Sequence, residues 1–283
     1  MNEDAKAERS QQMESVEKAG LIATPGGFRP PAFVHRIQRN QSIVKRGGVS
    51  HVIDMATARL IGSPAAATKP PNPTAPPVNW VTWASWNNNT GNPITSLSTT
   101  WTVPSPPTNS SGQLLYLFNG LENVAGNEIL QPVLQWGASG AGGGNLWTVA
   151  SWYADSNGHA FSTASVPVNP GDVLIGVMSE VAVYDDGTRN YVCQFQGING
   201  TTLVAQGMDE LTVAEQTLEA YWVTDVSEYP PDPSTAMTQI AIATSAGNIA
   251  ATWSPYTQAT PSFGEHTGIT NNGTAAVEID IYY

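Results

Sequence analysis

Two segments of the chain set amides and carboxylates at strand spacing. In 128–136 (EILQPVLQW), alternation puts Ile129, Gln131, Val133 and Gln135 on one face and Leu130, Pro132, Leu134 and Trp136 on the other. In 217–225 (TLEAYWVTD), Glu219, Tyr221, Val223 and Asp225 share a face, opposite Ala220, Trp222 and Thr224. A Gln row and a Glu-Tyr pair, each backed by an apolar face, admit two readings. They face water on half-buried antiparallel strands, or they line a concave polar surface. On such a surface a carboxylate can act as general base and an amide as oxyanion donor.

Other chemistries lack their residues. There is no GxSxG elbow, HExxH, P-loop or GxGxxG opening a helix. The run 137–144 (GASGAGGG) lies between two strand patterns, without the helix N-terminus that cradles phosphate, and reads as a mobile loop or a flap over a cleft. His35, His51, His159 and His266 have no ligand spacing, so neither a metal nor a cofactor is expected. Cys193, the single cysteine, excludes a disulfide framework and alternates with Tyr191 and Phe195 as a small buried hydrophobe. Sequons at Asn88, Asn109, Asn199 and Asn272 matter only in a chain exported from a eukaryote.

Charge divides the 283 residues in two. Ten of the eleven Lys and Arg precede residue 70, and 1–77 carries about four net positive charges. The rest holds 17 acids and one base, Arg189. So acidic a body argues against nucleic-acid binding. It suits an acid medium, where protonation relieves self-repulsion. No apolar run approaches 18 residues, so no membrane span is expected. The composition suits acid or extracellular conditions, yet the first twenty residues lack the apolar core of a signal peptide. The expected partner is a polypeptide or carbohydrate ligand of a monomer.

The positioning elements follow from punctuation. Residues 1–62 form a basic segment opening on a short surface helix or disorder, with a turn at Thr24-Pro25-Gly26-Gly27 and one or two strands or a short helix in 32–61. Residues 63–77 (SPAAATKPPNPTAPP) form an extended Pro-rich linker. Residues 78–283 carry short strands at 79–86, 94–103, 113–119, 128–136, 146–153, 160–166, 173–184, 190–197, 201–206, 217–225, 237–243 and 276–282, with 208–216 as the one short helix. Asp186-Gly187 and Asn199-Gly200 mark hairpins. The fold class is all-β, an antiparallel sandwich or jelly roll.

Several segments carry a family resemblance. Residues 94–107 (ITSLSTTWTVPSPP), 115–137 (LYLFNGLENVAGNEILQPVLQWG) and 146–178 follow the order of segments in the glutamic peptidases (the eqolisins), whose W-x-G-I-D-G is followed by I-L-Q. Residues 217–225 fall where that family has A-E-x-I-x-E-D. The resemblance spans about 78–230 and implies a concanavalin A-like pair of curved sheets with a concave cleft. It implies an acid endopeptidase with a Glu base and a Gln oxyanion donor, and an N-terminal propeptide matching residues 1–62. Gln131 matches the family Gln through Ile129-Leu130-Gln131. Aligning on Ala220 puts Tyr221 at the position of the Glu, and a two-residue slide puts Glu219 there. Tyr221 cannot replace a carboxylate base in acid, since a phenol titrates near pH 10. The expected catalytic pair is therefore Gln131 and Glu219. Glu122, Gln135, Trp152, Tyr153 and Tyr221 are expected to bind substrate, while the family acid on the aromatic strand falls on Ser151.

Two rival functions stay open. One is a non-catalytic concanavalin-like module for carbohydrate or peptide, with Trp83 and Trp86 beside Asn87-Asn88-Asn89 as candidate stacking residues. The other is a polysaccharide-cleaving enzyme, which needs two close carboxyls. Lys45-Arg46 is a candidate processing site, or an ordinary surface pair.

Overall fold

The computed structural model describes residues 3–62, 79–258 and 263–283. The Pro-rich linker lies outside the described residues. The leader comprises helix α1 (Glu3–Lys18) and strands β1 (Ile22–Thr24), β2 (Gly27–Arg29), β3 (Val34–Arg36), β4 (Gln41–Arg46), β5 (Val49–Asp54) and β6 (Leu60–Gly62). The body continues with β7 (Trp80–Asn87), β8 (Ile94–Thr102), β9 (Leu114–Asn123), β10 (Ile129–Ser139), β11 (Gly142–Ala154), β12 (Ala160–Ser162) and β13 (Val166–Pro167). Then come β14 (Val173–Val183), β15 (Arg189–Phe195), β16 (Leu203–Met208), β17 (Leu211–Tyr221) and β18 (Ser234–Thr244). The last are β19 (Gly247–Ile249), β20 (Ser254–Thr257), β21 (His266–Thr270) and β22 (Glu278–Tyr282).

Two large sheets pack face to face. The first runs β20-β7-β17-β9-β10-β11-β12-β3, with β13 also on β11. The second runs β21-β22-β18-β8-β14-β15-β16-β4-β5-β6, with β19 on β18. Their facing sides make the main core. Leu115, Leu117 and Leu121 of β9, with Leu130, Leu134 and Trp136 of β10, meet Leu97 and Trp101 of β8, Leu174 and Met178 of β14, and Cys193 and Phe195 of β15. Gly176 marks the tightest approach of the sheets. A Cβ there would lie 2.5 Å from Asn119 Oδ1 and 2.8 Å from the side chains of Pro132 and Trp101.

The leader is not a separate appendage. β3 pairs in parallel with β12, closing one edge of the first sheet. β4 pairs in parallel with β16, and β5 and β6 follow it at the edge of the second. Four strands therefore stand where the sequence suggests one or two strands or a short helix. Lys45-Arg46 lies within β4, with the Lys45 ammonium bonded to Glu128 and 3.0 Å from Asp209, so the dibasic pair sits in a strand flanked by β16 and β5.

Two local expectations are corrected. Residues 208–216 form no helix: Met208 ends β16 and 211–216 open β17. Their Ala, Glu and Gln favour a helix alone, but β17 pairs with β7 on one side and β9 on the other, and that pairing decides. The glycine run is no open loop, because β10 and β11 continue through it and turn only at Gly140-Ala141. Cys193 is buried as expected, and burial pushes its thiol up to about 12.

Candidate active site

The outer side of the first sheet, the side that the resemblance makes concave, carries a second apolar cluster. Tyr116, Phe118, Val133, Ala150, Trp152 and Tyr221 belong to it, together with Phe28 of the leader, and Val16, Leu21 and Ala23 pack against it. The surface that resembles a cleft is thus filled from the N-terminal side of the chain. The β1–β2 hairpin lies over it. Gly140 donates its N–H to the Ala23 carbonyl at 2.9 Å, and Phe28 sits 4.9 Å from both Tyr221 and Trp222, ring to ring.

Strand register sorts the polar groups of this face into rows. Glu215 stands opposite Ser85 on β7 and opposite Gly120 on β9. The β9–β10 register places Gln131 level with Gly120, and Gln131 faces Trp152 on β11. One row therefore reads Ser85, Glu215, Gly120, Gln131, Trp152. Two rows along, Glu219 stands opposite Trp80 and Tyr116, and Tyr116 faces Gln135, which faces Thr148. Gln131 and Glu219 share the concave face but not a row. Successive same-face residues lie about 7 Å apart along a strand, so Glu219 is offset from the Gln131 row by roughly 13 Å.

In the first row Ser85 Oγ donates to Glu215 Oε1 at 2.8 Å. Glu215 Oε2 and Gln131 Oε1 are buried with no hydrogen-bond partner among the described residues. Gly120 puts no side chain between them; the Ile129 side chain leans in, 3.1 Å from where a Cβ would sit. Burial pushes Glu215 up to about 9, with the charge of Glu122 adding to the rise and Ser85 opposing it. Glu122 is raised to about 7 by burial. A carboxyl and a carboxamide flank a gap of roughly two strand spacings, about 10 Å between Cα atoms.

The second row is held by the leader. Gly26 donates its backbone N–H to both Glu219 oxygens, at 2.8 and 3.1 Å, and Tyr221 Oη donates to Oε1. Burial raises Glu219 to about 7, against the lowering effects of Tyr221, Gly26, Arg29 and Trp80. Burial lowers Arg29, which Glu219, Tyr221, Tyr116 and Asp155 counter. Tyr116 and Tyr221 are raised well above their ordinary value, by burial first and then by the Glu219 charge.

The remaining expected residues divide. Trp152 lies on the concave face. Tyr153 does not, since alternation turns it into the core between the sheets, where it stacks on Phe161. Ser151 is likewise turned inward and buried. Gln135 is on the concave face, but its amide donates to the Gly137 and Gly142 carbonyls at 2.7 and 2.9 Å, tying the β10–β11 hairpin. Trp86 packs against the main core, and Trp83 stacks on Tyr256. No group of His, Cys, Asp and Glu among the described residues could hold a metal. No described helix is long and apolar enough to cross a membrane.

Sequence reasoning missed Glu215, and the signal was present. The family pattern A-E-x-I-x-E-D is matched at its Ala and both Glu positions three residues earlier than 217, by Ala214-Glu215-Gln216-Thr217-Leu218-Glu219-Ala220, with Thr217 in place of Ile and Ala220 in place of Asp. Taking 208–216 as a helix hid it.

Three anchors outside the hairpin tie leader to body. Arg9 Nη1 bonds Glu228 Oε1 at 2.6 Å, both side chains being buried. Burial pushes Glu228 up, but Ser111, the Thr224 N–H and Arg9 outweigh it and lower the carboxyl. Lys45 reaches Glu128 and Asp209. His35 Nε2 lies 3.0 Å from His159 Nδ1, between the rings of Phe33 and Phe161. Burial, with the His159 ring adding to it, lowers His35 to about 4 against the pull of Asp155.

Neither a protein-family model nor a curated protein matches the chain. Solved structures do. Scytalido-glutamic peptidase with a transition state analog inhibitor is 16% identical, with a TM-score of 0.48, over 72% of this chain and 98% of that one. SCP-B, a member of the Eqolisin family in complex with the tripeptide Ala-Ile-His, is 16% identical with a TM-score of 0.42 over the same shares. A toad ovary galectin with thio-digalactose is 13% identical, with a TM-score of 0.30, over 49% of this chain and 91% of that one. The chain is an all-β protein that resembles the glutamic peptidases.

Proposed function

We propose that the chain is a divergent acid endopeptidase of glutamic-peptidase type, with Glu215 as general base and Gln131 as oxyanion donor. The observation that carries this reading is the shared row. A carboxyl and a carboxamide, each with a buried unpartnered oxygen, flank the side-chain-free Gly120. An extended peptide lies over them along the strand direction, with its scissile carbonyl over Gly120. Glu215 takes a proton from water as the oxygen attacks the carbonyl carbon. The Gln131 amide donates to the oxyanion that forms. Glu215, now protonated, passes the proton to the amide nitrogen as the C–N bond breaks. Ser85 fixes the Glu215 carboxyl, and Glu122 supplies a nearby second carboxyl.

The leader keeps this chemistry off. With Glu215 raised to about 9, the carboxyl is protonated at neutral pH and is no base. Opening the face to water brings it back toward its ordinary range. Residues 1–62 are propeptide-like in their first part, where the hairpin covers the face, while β3 to β6 belong to the sheets.

The test is cleavage of a denatured protein across about pH 2–7, with wild type beside Glu215→Gln. Hydrogen exchange at 22–29 follows hairpin release. Acid cleavage lost in the variant is the expected result. Undiminished cleavage by Glu215→Gln overturns the assignment. No cleavage at any pH with the hairpin displaced makes the face a binding surface for peptide or carbohydrate instead.

A further inference from the structure

The Arg29 side chain occupies a recess whose body-side wall is made of acceptors and acids. Its Nε donates to the Gly158 carbonyl at 3.0 Å. Glu219, Tyr116, Tyr221 and Asp155 surround its charge. Asp155 Oδ2 is buried without a hydrogen-bond partner among the described residues, and Asp155 itself is 3% exposed. Within the hairpin, Nη1 donates to Thr24 Oγ1 and to the Pro25 carbonyl, so the leader itself satisfies that nitrogen. Beside it, Phe28 fills an aromatic slot formed by Tyr221 and Trp222. A neutral side chain in this recess would leave the charges of Glu219 and Asp155 without the cation that both act on. A cation is the one common side-chain type that matches it.

We propose that the recess holding Arg29 is a subsite for a cationic side chain, and that the ligand of the concave face is an extended polypeptide carrying Arg or Lys. The hairpin then occupies this subsite as a ligand would, with Gly26 N–H on Glu219 in place of a ligand backbone amide. The inference rests on the reading of the face as a polypeptide site. It deepens that reading by placing the cation at the Glu219 row, about four extended residues from the Glu215 row. Glu219 becomes the recognition acid, not the base.

The experiment uses the full chain with Arg29→Ala, and ethylguanidinium against its neutral isostere N-ethylurea, near pH 8. Ethylguanidinium at tens of millimolar raises the Tm of Arg29→Ala by about 2–4 °C through binding to the folded state. N-ethylurea leaves it unchanged, wild type does not respond, and adding Glu219→Gln removes the shift. Equal responses to the two probes, or a shift that survives Glu219→Gln, overturns the proposal. Should Arg29→Ala fail to fold, Arg29→Lys and Arg29→Met give the second readout. Amide protection at Gly26 is kept in the Lys variant and falls at least tenfold in the Met variant; equal protection overturns the proposal. None of these readouts involves cleavage. A cation-specific subsite in a chain that hydrolyses nothing would sink the peptidase reading alone, and cleavage without cation preference would sink this one alone.

Discussion

Glu215 and Glu219 leave one strand on one face, four residues apart, and their surroundings differ in kind. Glu215 is bonded by a body serine, faces a second carboxyl, and looks across a glycine at an amide with an unpartnered oxygen. Glu219 is bonded by a leader amide and a neighbouring phenol, and faces a leader guanidinium. The first environment leaves one carboxylate oxygen without a partner among the described residues. The second engages both carboxylate oxygens, and on the proposed reading that engagement is recognition. The same residue type on the same strand is thus assigned different work by what stands opposite it, and the predictions below press on that difference.

The largest effect concerns the amide of the first row. Gln131→Ala should lower kcat by about 10²–10³ with the fold retained, as expected for one lost oxyanion donor. The comparable change in the second row, Gln135→Ala, should lower it far less, because that amide ties a hairpin. Steady-state kinetics on one peptide with both variants separates the rows; equal losses would erase the distinction.

Next comes the leader anchor. Arg9→Ala leaves the Glu228 carboxylate buried without its ion partner and should destabilise the chain by about 3 kcal/mol. Urea unfolding gives the magnitude, and hydrogen exchange at 7–29 shows whether the loss is confined to the leader.

The pH response should split between the two regions. Glu219 titrates near 7 when folded and lower when unfolded, so the stability it contributes is complete in acid and is lost as pH rises through about 7. Glu122 and Glu215 act in the same sense, the latter up to about 9. His35 acts oppositely. With a folded value near 4 against an ordinary 6.5, it contributes stability above that window that is lost as pH falls toward 4. Glu228, lowered in the fold, also loses its contribution in acid. Acid thus favours the concave face while loosening the seam that holds the leader. Hydrogen exchange at pH 4 and pH 7 should show exchange in β3 rising in acid while β9 and β17 stay protected. A parallel change in both regions would contradict it.

The smallest effect is at Ser85. Ser85→Ala removes one hydrogen bond to Glu215, costs about 1 kcal/mol and raises that carboxyl further. The acid limb of the pH–rate profile should move up in pH, whereas Tyr221→Phe, which removes a hydroxyl bonded to Glu219 rather than to Glu215, should leave it in place.

The sequence showed the body strands well where period and punctuation agreed. The expected 94–103, 128–136 and 173–184 match β8, β10 and β14 to within a few residues. Alternation grouped Gln131 with Ile129, Val133 and Gln135 on one face, as β10 has it, whereas Trp152 and Tyr153 were named through the resemblance, and alternation applied to them would have separated the two. Glu215 was hidden because a helix-favouring stretch becomes a strand only when β7 and β9 flank it. The leader was hidden more deeply. β3 finds β12 across more than 120 residues, and β4 finds β16 across more than 160, in parallel pairings that leave no local signal. The basic charge of residues 1–62 told that the segment could meet an acidic body. It did not tell that one part would enter the sheets and another would cover the candidate site.

The central claim is that Glu215 does chemistry while Glu219 recognises. The most direct measurement is kcat/KM for two peptides, one with Arg and one with its neutral isostere citrulline three to four residues from the cleaved bond, with wild type, Glu215→Gln and Glu219→Gln at about pH 7, where the Glu219 carboxyl can ionise. The account predicts that Glu215→Gln loses both substrates by about 10³ or more, and that Glu219→Gln keeps kcat while losing the preference for Arg. Cleavage that survives Glu215→Gln but vanishes with Glu219→Gln would contradict it and return the base to the second row.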